Sequence, residues 1–390
     1  MSTGGSNDES GYSFGGDARF VVDYTAGITD ERISNCYILN PDAMGSGAIT
    51  FDIVERINEY WGNSYEGYGD DSSNMISGSS WTCDILWNDI EENVGNKISV
   101  KRAGYNGVKF TASSLGDLRG NAVVAVRNSS GTILWTWHIW ITDYNPDAIA
   151  AANSTVTTAT NSKYTATGVE GELHRYSSTM WTSGVLVGKF IMDRNIGARD
   201  TDYAWSSNGG KGSLYYQFGR KDPFPAGSST DGTASGTTSA AWLGTGSSTW
   251  DITDSPYKTA YASGGNTTAM AVNNPMAFYY RTSSAYGNNW CSEAQATTYL
   301  WNDIQAALAS GKKSIFDPSP AGWKLPTITA DSSAGTPWYG LTANLTSSVA
   351  TFFTNAKYPA NGLRVYNTGA MTNVGTTGYY WSASPSSLLV

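Results

Sequence analysis

The segment from residue 133 to residue 144 constrains the fold most strongly. It reads ILWTWHIWITDY and places three tryptophans and one of the two histidines within six residues. Successive side chains on a β-strand point to opposite faces of the sheet, so one face carries a set typical of a core: Ile133, Trp135, Trp137, Ile139 and Ile141. The segment therefore predicts a scaffold strand, whereas Trp135 and Trp137 exposed side by side would indicate a sugar-binding platform.

The residues around this strand predict more β-structure. An apolar run at 122–126 and the turn residues 128–131 precede it, and together they predict a β-hairpin. Shorter apolar or alternating runs lie at 35–39, 49–53, 98–100 and 108–112. Short strands separated by turn residues at this spacing are typical of a β-sandwich.

The length of 390 residues favours two domains. Residues 1–17 are polar and predict a flexible tether, and residues 18–145 hold the predicted β-sandwich. Residues 146–168 are small and polar without a period, which predicts a linker, and 169–390 form the second domain. That domain has predicted strands at 186–191 and 214–218, a helix at 296–309 and a weaker helix around 343–356. The fold class is mainly β with a minor α component.

Composition narrows the class of protein. Charged residues make up 15% of the chain, while glycine, tyrosine and tryptophan are abundant, as in turn-rich exported proteins. The net charge of −9 argues against nucleic acid and anionic membranes as partners, and no apolar window is long enough to span a membrane. The cysteines allow either a Cys36–Cys83 bridge or three buried thiols, the third being Cys291.

The residues favour binding over catalysis. His138 and His174 are the only histidines, and the strand position of His138 favours a hydrogen-bonded structural role. Nucleophile elbows, phosphate-binding loops and histidine metal motifs do not occur in the sequence. We therefore predict no catalytic residue, cofactor or metal, although a carboxylate pair assembled in space stays open.

Four motifs in the second half occur in a specific order: FIMDRNIGA at 190–198, LYYQFGRKDPFP at 214–225, SIFDPSPAGWKLP at 314–326 and GYYWSA at 378–383. Together they resemble the FISUMP-type domain, a C-type-lectin-like fold of surface proteins from gut and oral anaerobes. Upstream, NCYIL at 35–39 and the 133–144 segment are similar to the partner domain of fimbrillin-family proteins, which include tip adhesins of type V pili. The resemblance implies an N-terminal β-sandwich followed by a C-type-lectin-like α+β domain.

The chain departs from this family in three places. Ser319 stands where the family usually has a cysteine paired near the C-terminus, so that disulfide is not expected. The family commonly continues well beyond the Tyr-Trp-Ser-Ala element, whereas this chain stops at Val390, so the domain is either truncated or ends unusually. The Gly/Ser/Thr-rich stretches 226–249 and 262–269 are similar to insertions in surface loops.

The resemblance implies a non-catalytic adhesin of the cell surface, outer membrane or fimbrium, with a glycan, a surface protein or other pilus subunits as partners. In some relatives a retroelement diversifies exposed aromatic positions of the C-terminal segment, which stays open here. Aromatic side chains stack on sugars and anchor interfaces at low entropic cost. The candidate ligand contacts are Trp338, Tyr339, Tyr366, Tyr379, Tyr380 and Trp381, although Trp381 and Trp323 could equally belong to the core.

The charged residues of the motifs have a different predicted role. Asp193-Arg194 and Arg220-Lys221-Asp222 predict buried or half-buried ion pairs that fix loops, with direct ligand contact as the second interpretation. Two other functions stay open. One is a phage receptor-binding protein. The other, less favoured, is a relative of formylglycine-generating enzymes, which would need a cysteine pair or a metal-histidine site.

Overall fold

A computed structural model of the chain is mostly β with few helices. It describes residues 34–40, 47–62, 71–78, 80–90, 97–112, 119–155, 164–175, 190–198, 214–225, 240–242, 249–251, 258–260, 266–280, 290–291, 300–301, 314–325, 344–346, 349–352, 356–359, 362–366, 368–373 and 380–381.

The elements follow one another in chain order. The strands are β1 (Cys36–Leu39), β2 (Ala48–Asp52), β3 (Trp81–Asn88), β4 (Ile98–Ala103), β5 (Gly107–Ala112), β6 (Gly120–Asn128), β7 (Ile133–Ile141), β8 (Leu173–Arg175), β9 (Phe190–Met192), β10 (Ala240–Trp242), β11 (Thr249–Asp251), β12 (Lys258–Ala260), β13 (Phe278–Tyr280), β14 (Asn344–Thr346), β15 (Val349–Phe352), β16 (Ala356–Pro359), β17 (Leu363–Arg364) and β18 (Met371–Thr372). The helices are α1 (Val54–Gly62), α2 (Pro146–Ala152) and α3 (Thr268–Asn273), with a short 3-10 helix at Ser72–Asn74.

Two sheets in the first 141 residues share one hydrophobic core. The larger has the strand order β1-β7-β6-β3, with β1 parallel to β7 and the other pairs antiparallel. The smaller is antiparallel in the order β2-β5-β4. Phe51 of β2 and Trp137 of β7 meet in this core with ring centroids 5.3 Å apart. The predicted strands at 35–39, 49–53, 98–100, 108–112, 122–126 and 133–144 are confirmed.

Strand β7 is buried on both faces. Trp135 and Trp137 are 0% and 1% exposed and belong to the core between the sheets, which confirms the predicted scaffold strand. On the opposite face, Thr136 donates to a carboxylate oxygen of Asp222. Trp140 donates its Nε1–H to the carbonyl of Ala198 at 2.9 Å. Segments of the second half of the chain therefore cover the other face of the strand.

Strand β1 makes further contacts to the second half. The side-chain amide of Asn35, which precedes β1, donates to the carbonyls of Ile315 (2.7 Å) and Asp317 (2.9 Å). Its amide oxygen accepts the indole N–H of Trp135 at 3.1 Å. Cys36 forms a parallel bridge with Pro320. Because all of these polar groups are buried, each contact satisfies a group that would otherwise be costly to desolvate.

Helices α1 and α2 were not predicted. Helix α1 begins after Asp52, whose carboxylate accepts the backbone N–H of Glu55, and its Trp61 donates to the carbonyl of Leu134 at 2.8 Å. Helix α2 lies at the start of the predicted linker. The side chain of Asn145 accepts the N–H of Ala148 at 3.0 Å and Pro146 follows the cap, a combination that favours a helix start.

Four predictions for the second half have different outcomes. Strand β9 occupies the end of the predicted strand 186–191. The predicted strand 214–218 is wrong, because there only Tyr215 bridges, to Phe224. The helix predicted around 343–356 is wrong, because β14, β15 and the start of β16 lie there, where Val349, Thr351 and Phe352 favour strand geometry. The helix predicted at 296–309 falls outside the described residues apart from 300–301.

All three cysteines are thiols that form no disulfide. Cys36 lies on β1 and Cys83 on β3, at opposite edges of the four-stranded sheet. Three spacings of about 4.8 Å separate these edge strands, far more than the reach of a disulfide. The Cys36–Cys83 alternative is therefore wrong. Cys36 and Cys291 are buried, whereas Cys83 is half-buried.

The helices of the described segments are too short or too polar to cross a membrane.

The contact between β7 and Asp222 can be tested with Thr136→Val. This change keeps the shape but removes the hydroxyl, which bonds both Lys221 and Asp222. We expect the free energy of unfolding to fall by about 1–3 kcal/mol, because two buried charged groups each lose a hydrogen bond.

The measurement is urea denaturation followed by tryptophan fluorescence and by circular dichroism. Thr82→Val, at an exposed position of β3, is the matched control and should change stability by less than about 0.5 kcal/mol. We expect one transition by both probes, shifted as a whole. Two separate transitions, or an unshifted one, would contradict the shared packing.

Candidate functional site

The segment Leu214–Pro225, here called the strap, lies against the outer face of β7 and organises the site. Tyr215 and Phe224 exchange two backbone hydrogen bonds of 3.0 and 2.8 Å, which close the strap into a loop. Gly219 has a φ of +78°, and a Cβ there would lie 2.1 Å from Cδ1 of Leu300. Only glycine tolerates this combination of backbone conformation and close approach.

Three tryptophans donate their indole N–H groups to alternate carbonyls of the strap. Trp381 donates to Tyr216 (2.9 Å), Trp290 to Phe218 (2.7 Å) and Trp301 to Arg220 (3.1 Å). A buried indole N–H needs an acceptor, and the strap supplies one at every second residue. The strap thus brings together aromatic residues that lie far apart in the sequence.

Trp381 is the predicted ligand residue whose environment the structure defines best. Its side chain is 49% exposed, although its ring packs against buried Trp301 (centroids 5.9 Å apart) and against Phe218 (5.7 Å). Phe218 and Trp301 contact each other at 4.9 Å. We call Phe218, Trp301 and Trp381 the aromatic platform. Its outer member is fixed by one hydrogen bond and two ring contacts while about half of its surface faces solvent.

The buried side chain of Arg220 stabilises the strap through hydrogen bonds. Its guanidinium is buried and donates to the carbonyls of Ala277 (2.5 Å) and Pro275 (2.9 Å) and to the side chain of Gln217 (3.1 Å). It also lies 5.0 Å from the ring centroid of Phe224. Burial lowers the pKa of Arg220, while the nearby charge of Asp222 opposes that shift. Arg220 therefore acts through carbonyl oxygens and rings rather than through a direct ion pair with Asp222.

Lys221 is the direct partner of Asp222. The Lys221 Nζ lies 2.7 Å from Oδ1 of Asp222, and it also donates to the carbonyl of Thr136 at 3.1 Å. The ammonium sits 4.4 Å from the ring centroid of Trp135. Burial lowers the pKa of Lys221 to about 8, although the charge of Asp222 and the hydrogen bond to it oppose this shift. The pair is buried against β7, so its geometry suits anchoring rather than ligand contact.

Asp193 and Arg194 form a second buried ion pair. Arg194 donates to both carboxylate oxygens of Asp193, at 2.7 and 3.1 Å, and stacks 4.1 Å from the ring centroid of Tyr144. The Asp193 carboxylate also accepts the N–H of Glu172 at 3.0 Å. A Cβ on Gly171 would lie 2.3 Å from the Tyr144 ring. The pair thus joins the end of β9 to the chain after β7.

The other predicted ligand residues have mixed placements. Tyr366 is 49% exposed in the turn between β17 and β18. Tyr380 is partly buried, and this burial raises the pKa of its phenol. Trp338, Tyr339 and Tyr379 lie outside the described residues. The structure therefore supports Trp381 and Tyr366 as accessible aromatic groups.

His138 has the structural role that its strand position predicts. Its Nε2 lies 2.8 Å from Oδ1 of Asn121. The Asn121 amide N–H₂ donates to Asp89 and to the carbonyl of Gly197, both at 2.9 Å, so its oxygen faces the imidazole, which must donate. Burial lowers the pKa of His138 to about 3, so the ring is neutral. Within the described part of the chain, no group of three or more His, Cys, Asp and Glu residues could hold a metal.

Phe218, Trp290 and Trp301 are site residues that the sequence did not reveal. No local sequence pattern predicts that an indole donates to a carbonyl more than 70 residues away. Comparison with protein-family models, curated proteins and solved structures finds no match for the chain.

Trp323 belongs to the core and so differs from Trp381. It is 2% exposed, packs with Trp140 and Tyr144, and donates its indole N–H to Oδ1 of Asp147 in α2 at 2.7 Å. Desolvation raises the pKa of Asp147 to about 7, although the hydrogen bond from Trp323 opposes this shift. The carboxyl of the folded protein is therefore neutral at acid pH and ionises as the pH rises through about 7.

Asp147→Asn tests this environment. Because the pKa of Asp147 is raised on folding, its favourable contribution is present at low pH and lost as the pH rises through about 7. Asparagine keeps the acceptor oxygen without ionising. We expect the variant to be more stable than the original protein by about 1–3 kcal/mol at basic pH and nearly equal to it at acid pH.

The measurement is urea denaturation across the acid-to-basic range. Asp71→Asn, at an exposed carboxylate that caps the 3-10 helix, is the comparison variant. A difference between Asp147→Asn and the original protein that stays constant with pH would refute the raised pKa.

Proposed function

We propose that this protein is a non-catalytic ligand-binding protein of the cell surface, of the adhesin or pilus-tip type. The observation that carries the proposal is Trp381. It is a large aromatic group that is half exposed yet fixed by a hydrogen bond to Tyr216 and by rings on its inner side. Burying such a side chain against a ligand gains apolar contact without ordering a flexible group, which favours binding.

We also propose a specific fold for each half of the chain. Two sheets with one core support a β-sandwich in the first half. The strap and its three indoles support a scaffold that presents surface groups, as expected of the C-type-lectin-like domain that the motifs resemble. A fixed scaffold that presents exposed aromatic residues suits a binding protein.

The buried ionisable groups also favour binding over catalysis. Lys221, Asp222 and His138 are engaged in contacts of the scaffold. A catalytic acid, base or nucleophile must reach the reacting group, whereas all three of these side chains are buried. We propose a glycan or a surface protein as the ligand, and further pilus subunits as structural partners.

Binding of the full chain to a glycan array and to intact bacterial and host cells tests this function. We expect Trp381→Ala to weaken binding by roughly tenfold or more, because a central aromatic anchor contributes on the order of 2 kcal/mol. Tyr366→Ala should weaken it less, since no ring contact within the described residues supports Tyr366.

Tyr105→Ala is the matched control. Tyr105 is 73% exposed at the turn between β4 and β5, so the variant loses an exposed aromatic group away from the strap. Each variant is first checked for an unchanged melting temperature. A folded protein that binds no glycan or cell, or a Trp381→Ala variant that binds as tightly as the original, would refute the proposal.

A further inference from the structure

The turn between β17 and β18 is closed by hydrogen bonds of its own backbone. Val365 donates to the carbonyl of Ala370 at 2.8 Å, and Gly369 donates back to the carbonyl of Val365, also at 2.8 Å. Gly369 has a φ of +71°, a conformation that glycine adopts without steric cost. Tyr366, the candidate ligand contact that is 49% exposed, therefore lies in a turn of defined backbone geometry.

Arg364, the last residue of β17, adds a side-chain hydrogen bond to this turn. Its Nε–H donates to the carbonyl of Gly369 at 3.0 Å. Its backbone pairs with Met371 of β18, which is 0% exposed, so the base of the turn is buried on one strand. The guanidinium is planar and holds its donors in a rigid fork, and the bond from Nε therefore also orients the rest of the group.

The same guanidinium packs on two buried aromatic rings. Its central carbon lies 4.0 Å from the ring centroid of Phe278 in β13 and 5.1 Å from that of Phe224 in the strap. The two rings contact each other edge to face, with centroids 5.8 Å apart. A guanidinium within about 6 Å of a ring centroid is attracted by the ring quadrupole, and more strongly where water is excluded. Arg364 thereby connects the turn to the strap.

We infer that Arg364 is a positioning residue of the ligand-binding surface, which fixes to the strap the turn that carries Tyr366. This inference rests on the proposed binding function, in which Tyr366 is a candidate contact. Arg364 acts through the turn and not through the ligand. A turn that is ordered before binding loses less conformational entropy when the ligand binds, so Tyr366 contributes more to the affinity.

Arg364→Lys tests whether this residue fixes the turn. Lysine keeps the positive charge but carries it as a point charge on a flexible stem, without the planar fork. We expect the amides of Val365 and Gly369 to exchange with solvent roughly tenfold faster or more, because the turn opens more often. The measurement is hydrogen exchange of the full chain by NMR, in which the amides of β7 should keep their rates.

A double-mutant cycle tests whether Arg364 acts through Tyr366. Binding of the full chain is measured on the glycan array and on intact bacterial and host cells. We expect Arg364→Lys to weaken binding roughly threefold, and by no more than Tyr366→Ala does. In the Tyr366→Ala background the same change should weaken binding by less than about twofold, because the positioned side chain is already gone. A residue that supports only the fold, or that contacts the ligand itself, would weaken binding equally in both backgrounds.

Arg127→Lys is the matched control. Arg127 of β6 also donates to a glycine carbonyl in a hairpin turn, that of Gly131 at 3.2 Å, but this turn joins β6 to β7. The control should change binding by less than about twofold. If Arg364→Lys melts early, Gly369→Ala disturbs the same turn by another route, since it places a Cβ at a positive φ and 3.4 Å from Cδ1 of Phe278. The same dependence on Tyr366 is expected.

The outcomes separate this inference from the proposed function. Unchanged exchange in the turn, a Tyr366→Ala variant that binds as tightly as the original, or an equal effect of Arg364→Lys with and without Tyr366 would overturn the positioning role. Each of these results would leave the binding function standing. A folded chain that binds no glycan and no cell would overturn both.

Discussion

The burial of strand β7 on both faces is the constraint on which the rest of the structure depends. One face completes the core between the two sheets through Trp135 and Trp137. The other face carries Thr136, a polar residue that is 1% exposed and hydrogen-bonded to both Lys221 and Asp222. A buried ammonium and carboxylate are tolerated only when they are paired and hydrogen-bonded. The position of the strap is therefore tied to the strand.

The strap connects this buried ion pair to aromatic residues at the surface. Arg220 joins it to the carbonyls of Ala277 and Pro275, and Gly219 permits the tight turn beside Leu300. The carbonyls of residues 216, 218 and 220 accept the indole N–H groups of three tryptophans. One of these, Trp381, is half exposed. A fixed surface ring loses little side-chain entropy on binding, because folding has already ordered it. The buried ion pair and the exposed aromatic group are thus parts of one arrangement.

The sequence predicts six of the seven strands in the first half because its signals there are local, but it misses β3. The alternation at 133–141 and the hairpin before it follow from side-chain period and turn residues, and the structure confirms both. Helix α2 was missed although Asn145 and Pro146 are good start signals, because the small residues after them show no period. The helix predicted around 343–356 is wrong because the segment pairs as strands, and its β-branched residues favour that geometry.

The site could be predicted only in part. The motif residues Arg220, Lys221 and Asp222 stood out as buried charges, but the sequence could not show that Asp222 pairs with Lys221 while Arg220 binds carbonyls. Nor could it separate Trp323 from Trp381, which differ in exposure because one packs beneath α2 and the other at the edge of the strap. Such differences arise from contacts distant in sequence, and local patterns do not encode them.

Native-state hydrogen exchange, followed residue by residue by NMR, tests the dependence of the strap on β7 most directly. The amides of Tyr215 and Phe224 and the indole N–H of Trp301 all donate to buried carbonyls. If the strap is anchored through Thr136, these groups open only together with β7 and exchange with free energies close to those of its amides. Rapid exchange of the strap beside a fully protected β7 would contradict the account.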